Sequence, residues 1–147
     1  MDKNNEDKDL LNLIKENIEN EPYAKLFGIK VLELLPGYSL VKVDVKKEYN
    51  NIFGIAHGGL VFSILDVAFG SAANSYGTVA VALNVNISYI KPAMEGDSLR
   101  AQADEIARSK KTAVFFIVVK NQEDEIIATA QAVAYLKKDK LPFLIDK

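Results

Sequence analysis

Apolar positions recur at helical spacing near the start of the chain. Within residues 7–19 they fall on one face of a predicted helix whose other positions are charged or amide-bearing, the apolar set being Leu10, Leu11, Ile14 and Ile18. This pattern is typical of an amphipathic helix lying on a surface. Pro22 can open a second, shorter helical segment, which Gly28 can end. We therefore predict an N-terminal amphipathic helix or tail over residues 1–21, attached to a main domain over residues 22–147.

A hydrophobic stretch in the middle of the chain predicts a buried helix. Residues 58–76 contain one charged side chain, Asp66, and no cluster of Lys or Arg flanks them. A membrane-spanning helix needs about 20 mostly apolar residues and disfavours a central carboxylate, so we interpret the stretch as a helix buried on most sides in a folded domain. Before it, residues 29–35 and 38–47 read as two strands separated by the turn signal Pro36-Gly37, which predicts a hairpin.

After this helix the pattern changes to the alternation that is typical of strands. Four strands are predicted, and we expect antiparallel hairpins to connect them, the strands being 79–89, 97–107, 113–120 and 125–136. One face of the last strand carries short side chains that would let a helix approach closely, namely Ala128, Ala130, Ala132 and Ala134. The predicted fold class is therefore α+β, with one curved antiparallel sheet of six strands covering one helix.

Composition narrows the classes of function. The 147 residues carry a formal net charge of −2, so no overall positive field exists to hold nucleic acid. The chain has no cysteine and one histidine, which excludes thiolate sites and a multi-histidine metal site within a single chain. The first ten residues are charged where a secretory signal would be apolar. We therefore expect a cytoplasmic protein with no metal, no nucleic-acid partner and no membrane partner.

The residues with candidate chemistry lie just before the hydrophobic helix, at its start and near its middle. Asp66 has no cation one helical turn away, and a desolvated carboxylate without a positive partner is a candidate general base. The alternative is a structural aspartate bonded to nearby hydroxyls or amides. Gly58 and Gly59 place unpaired amides at the positive end of the helix dipole, which suits an oxyanion, although paired glycines also make tight turns. His57 and Asn51 alone are most simply packing and turn residues.

The spacing of these residues has a geometric consequence. Asp66 follows Gly58 by eight positions, which is about 12 Å along a helix. One chain cannot bring its own Asp66 to an oxyanion held by its own Gly58. If both act on one substrate, a second subunit must supply one of them, which predicts a two-fold dimer with sites at the interface.

The pattern Asn51-x-x-Gly54-x-x-His57-Gly58-Gly59, with Asp66 nine residues after the histidine, resembles the hotdog-fold thioesterases. The closest group is the PaaI-type (phenylacetic acid degradation) branch of acyl-CoA thioesterases. The resemblance implies a hotdog fold, a curved antiparallel sheet wrapped around one long central helix. It implies that Asp66 is the general base or nucleophile and that the Gly58 amide polarises the thioester carbonyl. It further implies that Asn51 positions water or the thioester, and that His57 supports the loop or contacts the thioester.

The same resemblance extends to coenzyme A and to assembly. Relatives often carry basic residues near the coenzyme A phosphates, at the positions of Arg108, Lys110 and Lys111, with Lys91 a weaker candidate; an ordinary solvated turn is the alternative. It implies a homodimer, or a tetramer of paired dimers, acting on an acyl- or aryl-acyl-CoA without a cofactor. Two other functions stay open. One is a hydratase or dehydratase that recruits His57, and the other is a non-catalytic acyl-CoA-binding protein. The position of a strand hydroxyl found in some relatives falls here at Ala82, so this chain either lacks the group or substitutes another, with Asn84 as the candidate.

Overall fold

A computed structural model describes residues 3–145 of the chain. Residues 1–2 and 146–147, the outer ends of the two predicted segments, lie outside the described residues. The helices are α1 (Lys3–Asn20), α2 (Pro22–Phe27) and α3 (Gly58–Asn74), with short 3-10 turns at Lys47–Tyr49 and Pro142–Leu144. The strands are β1 (Lys30–Leu35), β2 (Tyr38–Asp44), β3 (Thr78–Tyr89), β4 (Ser98–Arg108), β5 (Thr112–Lys120) and β6 (Ile126–Lys140). The predicted order of elements is confirmed.

The six strands form one antiparallel sheet in the order β1-β2-β4-β5-β6-β3. The first hairpin is confirmed, since Leu35 pairs with Tyr38 and Gly37 takes the left-handed φ of 73° that its turn requires. The hairpins from β4 to β5 and from β5 to β6 are also present. A sheet of this order curls around α3, which is the hotdog arrangement that the sequence predicts.

The predicted hairpin between β3 and the next strand is wrong. β3 pairs with β6 at one edge of the sheet, and β4 pairs with β2 and β5 in its middle. The connecting segment crosses the N-terminal end of α3 instead, because the Ala93 carbonyl accepts from the Ala56 amide and the Asp97 carbonyl accepts from the Val45 amide. Pro92, which lacks an N–H, stands where the segment leaves β3. Strand alternation specifies each strand but not its neighbour in the sheet.

The core lies between α3 and the concave face of the sheet. Eleven of the seventeen residues of α3 are buried, so the hydrophobic stretch is a buried helix as predicted. The alanines of β6 face it, and each is at most 3% exposed. Phe69 of α3 meets Phe115 of β5 edge to face, with ring centroids 5.4 Å apart. Small side chains on one strand and aromatic rings on the next therefore fix how closely the helix approaches the sheet.

The N-terminal helix is packed onto this core. Ile14 of α1 is 1% exposed and belongs to the same buried cluster as α3. The Glu19 side chain accepts a hydrogen bond from the Val31 amide at 2.8 Å, which ties the end of α1 to β1. The apolar face predicted for α1 is thus its buried face. None of the helices in residues 3–145 is both long enough and apolar enough to cross a bilayer.

Candidate active site

Asp66 lies at a cavity of about 740 Å³ between α3, the two N-terminal helices and the turn after β6. It is the single charged residue of α3. Within residues 3–145 its carboxylate makes no hydrogen bond and no ion pair. Asp66 stays exposed at the cavity surface, yet the surrounding protein displaces enough water to raise the pKa of its carboxyl above the ordinary value. An unpaired carboxylate of raised pKa can accept a proton from water.

The N-terminus of α3 supplies an unpaired amide. His57 is the cap residue, and its Nδ1 accepts a hydrogen bond from the Gly59 amide at 2.9 Å. The Gly58 amide has no acceptor among residues 3–145. Tyr89 lies against Gly58, donating its hydroxyl to the Gly58 carbonyl at 3.1 Å, and a Cβ at Gly58 would stand 3.4 Å from the Tyr89 ring. This separation is ordinary van der Waals contact, so Tyr89 does not by itself require a glycine here, and the Gly58 N–H stays available to an oxyanion.

The loop before α3 is closed by Asn51. Its Oδ1 accepts hydrogen bonds from the Phe53 amide at 2.9 Å and the Ile55 amide at 3.4 Å, and Gly54 turns the chain with φ of 74°. The turn role considered for Asn51 is therefore real. Its Nδ2 donates to no acceptor in the described part of the chain. Both roles are compatible, because the oxygen shapes the loop while the amide nitrogen stays free to donate.

These residues occupy two separate cavities. Asp66 lines the larger one, whereas Asn51 and Gly58 line a second of about 390 Å³ that also includes Tyr89 and Lys91. The helix between Gly58 and Asp66 is continuous, so they stay about 12 Å apart along it. Within one chain the structure therefore keeps Asp66 apart from Asn51 and Gly58. In the described chain, no three His, Cys, Asp or Glu side chains are grouped so as to hold a metal ion.

The part of the chain that contains Gly58 and Asp66 is similar in sequence to a known protein family. The model of the thioesterase superfamily matches residues 53–128, a span that holds α3 and the strands β3, β4 and β5. The chain belongs to the thioesterase superfamily.

Individual relatives agree with this assignment. A protein of Archaeoglobus fulgidus classed as an esterase is 39% identical over 124 residues, covering 84% of this chain and 80% of that protein. The acyl-coenzyme A thioesterase PaaI of Escherichia coli is 36% identical over 110 residues, covering 75% and 79% of the two chains. The solved structure of the E. coli PaaI protein superposes with a TM-score of 0.82 at 31% identity, covering 85% of this thioesterase and 91% of that chain. The resemblance inferred from the motif is confirmed.

The basic turn, residues 108–111 between β4 and β5, is distant from Gly58 within one chain. The Lys111 carbonyl accepts from the Leu136 amide near the end of β6. Tyr89, which contacts Gly58, pairs with Ala128 near the start of the same strand. Eight residues along a strand are roughly 26 Å. Arg108 is already engaged, since its guanidinium pairs with Glu105 at 3.0 Å and lies 4.1 Å above the Tyr76 ring, whereas Lys110 and Lys111 are exposed. Lys91 does line the cavity of Gly58, paired with Glu125 at 2.8 Å.

Sequence reasoning missed several residues at the site of this thioesterase. The Ser63 hydroxyl donates to the Gly59 carbonyl at 2.7 Å, so the Tyr23 hydroxyl, 2.6 Å from Ser63, must be the donor of their shared bond. This contact joins α2 to the first half of α3. Glu21 lines the same cavity as Asp66. For Glu21 and Tyr23 the one signal in the sequence was their position beside Pro22 at a predicted helix start, which says nothing about their distance from α3.

Proposed function

We propose that this thioesterase hydrolyses acyl-CoA thioesters to a free acid and coenzyme A, using water and no cofactor. The observation that carries the proposal is the Asp66 carboxylate, which lies at a cavity and on the same helix that begins at Gly58; among residues 3–145 neither this carboxylate nor the Gly58 amide has a hydrogen-bond partner. The E. coli relative is named an acyl-coenzyme A thioesterase, and a Streptococcus mutans neighbour of 26% identity was solved with acetyl-CoA. Both support a coenzyme A thioester as the substrate class.

The chemistry follows from the groups present. The Gly58 N–H donates to the thioester carbonyl oxygen, which gains negative charge as the carbonyl carbon is attacked. Asp66 takes a proton from water while the water oxygen bonds to that carbon, and the carbon–sulfur bond then breaks. The thiolate leaves and takes up the proton, giving acid and thiol. In the nucleophilic alternative, an Asp66 oxygen bonds to the carbonyl carbon and the carbon–sulfur bond breaks, so that coenzyme A leaves as the thiolate. Water then cleaves the resulting anhydride to the acid and the Asp66 carboxylate, and its second proton goes to the thiolate.

The supporting residues have distinct roles in this scheme. The free Nδ2 of Asn51 donates to the attacking water or to the thioester. His57 acts through the helix start, because its Nδ1 is occupied by the Gly59 amide. A hydratase would need that imidazole as an acid or base at the substrate, so its capping role favours hydrolysis.

The complete site requires a second copy of the chain, and β3 provides the contact. β3 is the last strand at its edge of the sheet, and it exposes large apolar side chains, including Val81 and Leu83 at 41% and 59%. The cavity of Gly58 lies at the end of β3, beside Tyr89. The cavity of Asp66 lies at its start, where Asn74 is bonded to Ala80. If the β3 strands of two subunits pair antiparallel, the end of each strand lies beside the start of the other. The Gly58 cavity of one subunit then meets the Asp66 cavity of its partner.

The same pairing gives the basic turn a role. Lys111 accepts through its carbonyl from Leu136, which pairs with Ala80 at the start of β3. A two-fold axis across β3 therefore carries the turn toward the Gly58 cavity of the partner subunit. We assign Arg108, Lys110 and Lys111 of one subunit, with Lys91 of the other, to the coenzyme A phosphates.

Thiol release from a panel of acyl- and aryl-acyl-CoAs tests the proposal. Asp66→Asn should lower kcat by about a hundredfold or more, the scale of a lost general base. Asp7→Asn, which makes the same change on an exposed part of α1, should leave kcat unchanged. Full activity of a folded Asp66→Asn protein would overturn the role of Asp66. Binding of the panel without thiol release in the wild type would favour an acyl-CoA-binding protein.

A single turnover in ¹⁸O-labelled water tests the nucleophilic route. Direct attack by water puts the label into the acid product and leaves Asp66 unlabelled. In the nucleophilic route, water that attacks the Asp66 carbonyl of the anhydride labels Asp66 and leaves the first acid product unlabelled. Label found by mass spectrometry in the peptide that contains Asp66, with an unlabelled first product, would therefore establish the nucleophilic route.

A further inference from the structure

The cavity of Asp66 contains a second carboxylate, that of Glu21. Most of its lining is apolar, from Ile14, Ile18, Pro22, Val67, Leu141 and Phe143. Its amide and hydroxyl side chains are already bonded inside the protein: Asn17 to Leu13, Tyr23 to Ser63, Ser71 to Val67, and Asn74 to Gly70 and Ala80. Glu21 and Asp66 are the two acidic residues of this lining, and no Lys, Arg or His accompanies them among the described residues.

The backbone holds Glu21 at this place. Its amide donates to the Ile18 carbonyl at 3.3 Å, and its carbonyl accepts from the Lys25 amide at 3.1 Å. The chain turns here from α1 into α2, and the Glu21 side chain makes no capping hydrogen bond. Partial burial, and to a lesser extent the negative charge of Asp66, raise the pKa of the Glu21 carboxyl above its ordinary value.

The cavity is also open on the substrate side of Asp66. Gly70 lies one helical turn after Asp66, and a Cβ added there would meet no atom within 4 Å. An acyl group whose carbonyl carbon lies beside Asp66 therefore finds space along α3 toward Gly70, with apolar walls around it.

We propose that Glu21 is a specificity-determining residue, which adds a second negative charge to the cavity of Asp66 and so disfavours acyl groups that end in a carboxylate. The inference rests on the proposed acyl-CoA hydrolysis. Uncharged alkyl or aryl groups meet the apolar walls, whereas a terminal carboxylate would meet Glu21 and Asp66 in a cavity that no Lys, Arg or His of the same described chain lines. Discrimination in this site comes from like-charge repulsion and from desolvation of the substrate carboxylate.

The test compares two substrates that differ only in the terminal group, hexanoyl-CoA and adipoyl-CoA, at pH 8. The wild type should show a kcat/KM for adipoyl-CoA that is lower by about tenfold or more. Glu21→Gln keeps the side-chain volume and removes its charge, so it should narrow the ratio of the two kcat/KM values by about tenfold. Glu16→Gln is the matched control, since it removes one charge from the exposed side of α1, outside this cavity. The control should leave the ratio unchanged.

A second variant tests whether the acyl group enters this cavity. Gly70→Leu fills space that is open, so it should lower kcat/KM for phenylacetyl-CoA more than for acetyl-CoA. An unchanged hexanoyl-to-adipoyl ratio in Glu21→Gln, or an equal change in Glu16→Gln, would overturn the role of Glu21 while hydrolysis of hexanoyl-CoA still upholds the proposed function. If the wild type releases no thiol from any acyl-CoA, the proposed function fails instead. In that case the dissociation constants of hexanoyl-CoA and adipoyl-CoA test the role of Glu21. Weaker binding of adipoyl-CoA that Glu21→Gln relieves would support this role, and an unchanged ratio of the two constants would contradict it.

Discussion

Complementation between two inactive variants tests the two-subunit site directly. Asp66→Ala removes the carboxylate from one cavity, and Asn51→Asp removes the free amide donor from the other. Asn51→Asp retains the Oδ1 that accepts from the Phe53 and Ile55 amides, so the loop keeps its shape. It also adds a carboxylate that would face Asp66 of the partner subunit. Each homodimer should therefore be nearly inactive.

The expected recovery follows from the separation of the half-sites. Because Gly58 and Asp66 stay about 12 Å apart on one helix, an active site combines Asp66 of one subunit with Asn51 of the other. In a mixed dimer, one site carries both lesions and the other carries neither. Random reassociation of equal amounts makes half of the dimers mixed, so about a quarter of all sites should be active.

The assay is thiol release after co-refolding the two variants, with dimer composition measured by native mass spectrometry. Unmixed variants, assayed at the same total concentration, give the background. Activity near a quarter of the wild-type value per site supports the shared site. Mixed dimers without activity would show that each site is built within a single chain, which would refute the reasoning from helix geometry.

Two further predictions concern stability and affinity. Burial raises the pKa of the Asp66 carboxyl above its ordinary value of 3.8, so its ionised form destabilises the folded state, and stability falls as pH rises from about 3.8 through the raised pKa. Asp66→Asn should therefore raise Tm at pH 7 by calorimetry, and this gain should vanish below pH 3.8; a lower Tm at pH 7 would contradict it. Replacing Lys110 and Lys111 with alanine should raise KM for acyl-CoAs by about two- to tenfold, with little effect on kcat and less at high salt. Lys8→Ala is the control, and an unchanged KM at low salt would mean an ordinary solvated turn.

Much of this fold can be predicted from the sequence, because the patterns that indicate helices and strands depend on residues close together in the chain. The apolar stretch of α3 and the alternation of the strands report burial within a few residues of each position. The alanines of β6 indicated a close helix, and they pack against α3. The spacing of Gly58 and Asp66 gave their separation, because a continuous helix converts positions into distance.

Other features depend on contacts between distant segments. β3 lies at the sheet edge because it pairs with β6 and not with β4. The alternation of apolar and polar residues along β3 would be the same with either neighbour, so it could not predict this pairing. Glu21 reaches the cavity of Asp66 only because α1 packs across the core through Ile14. Arg108 looks like its neighbouring lysines in the sequence, yet Glu105 and Tyr76 engage its guanidinium.

The unfavourable features of the single chain coincide with the surfaces that the proposed dimer and substrate would use. Among residues 3–145 the Asp66 carboxylate has no partner and the Gly58 amide has no acceptor, and β3 ends the sheet with apolar side chains exposed. Each feature costs free energy in an isolated subunit. Pairing of two β3 strands would cover the apolar edge, and a thioester carbonyl would accept from Gly58. The Asp66 carboxylate would remain unpaired until it takes a proton from water. The free energy that its desolvation costs the folded protein is therefore kept at the one group that lowers the barrier to hydrolysis by accepting that proton.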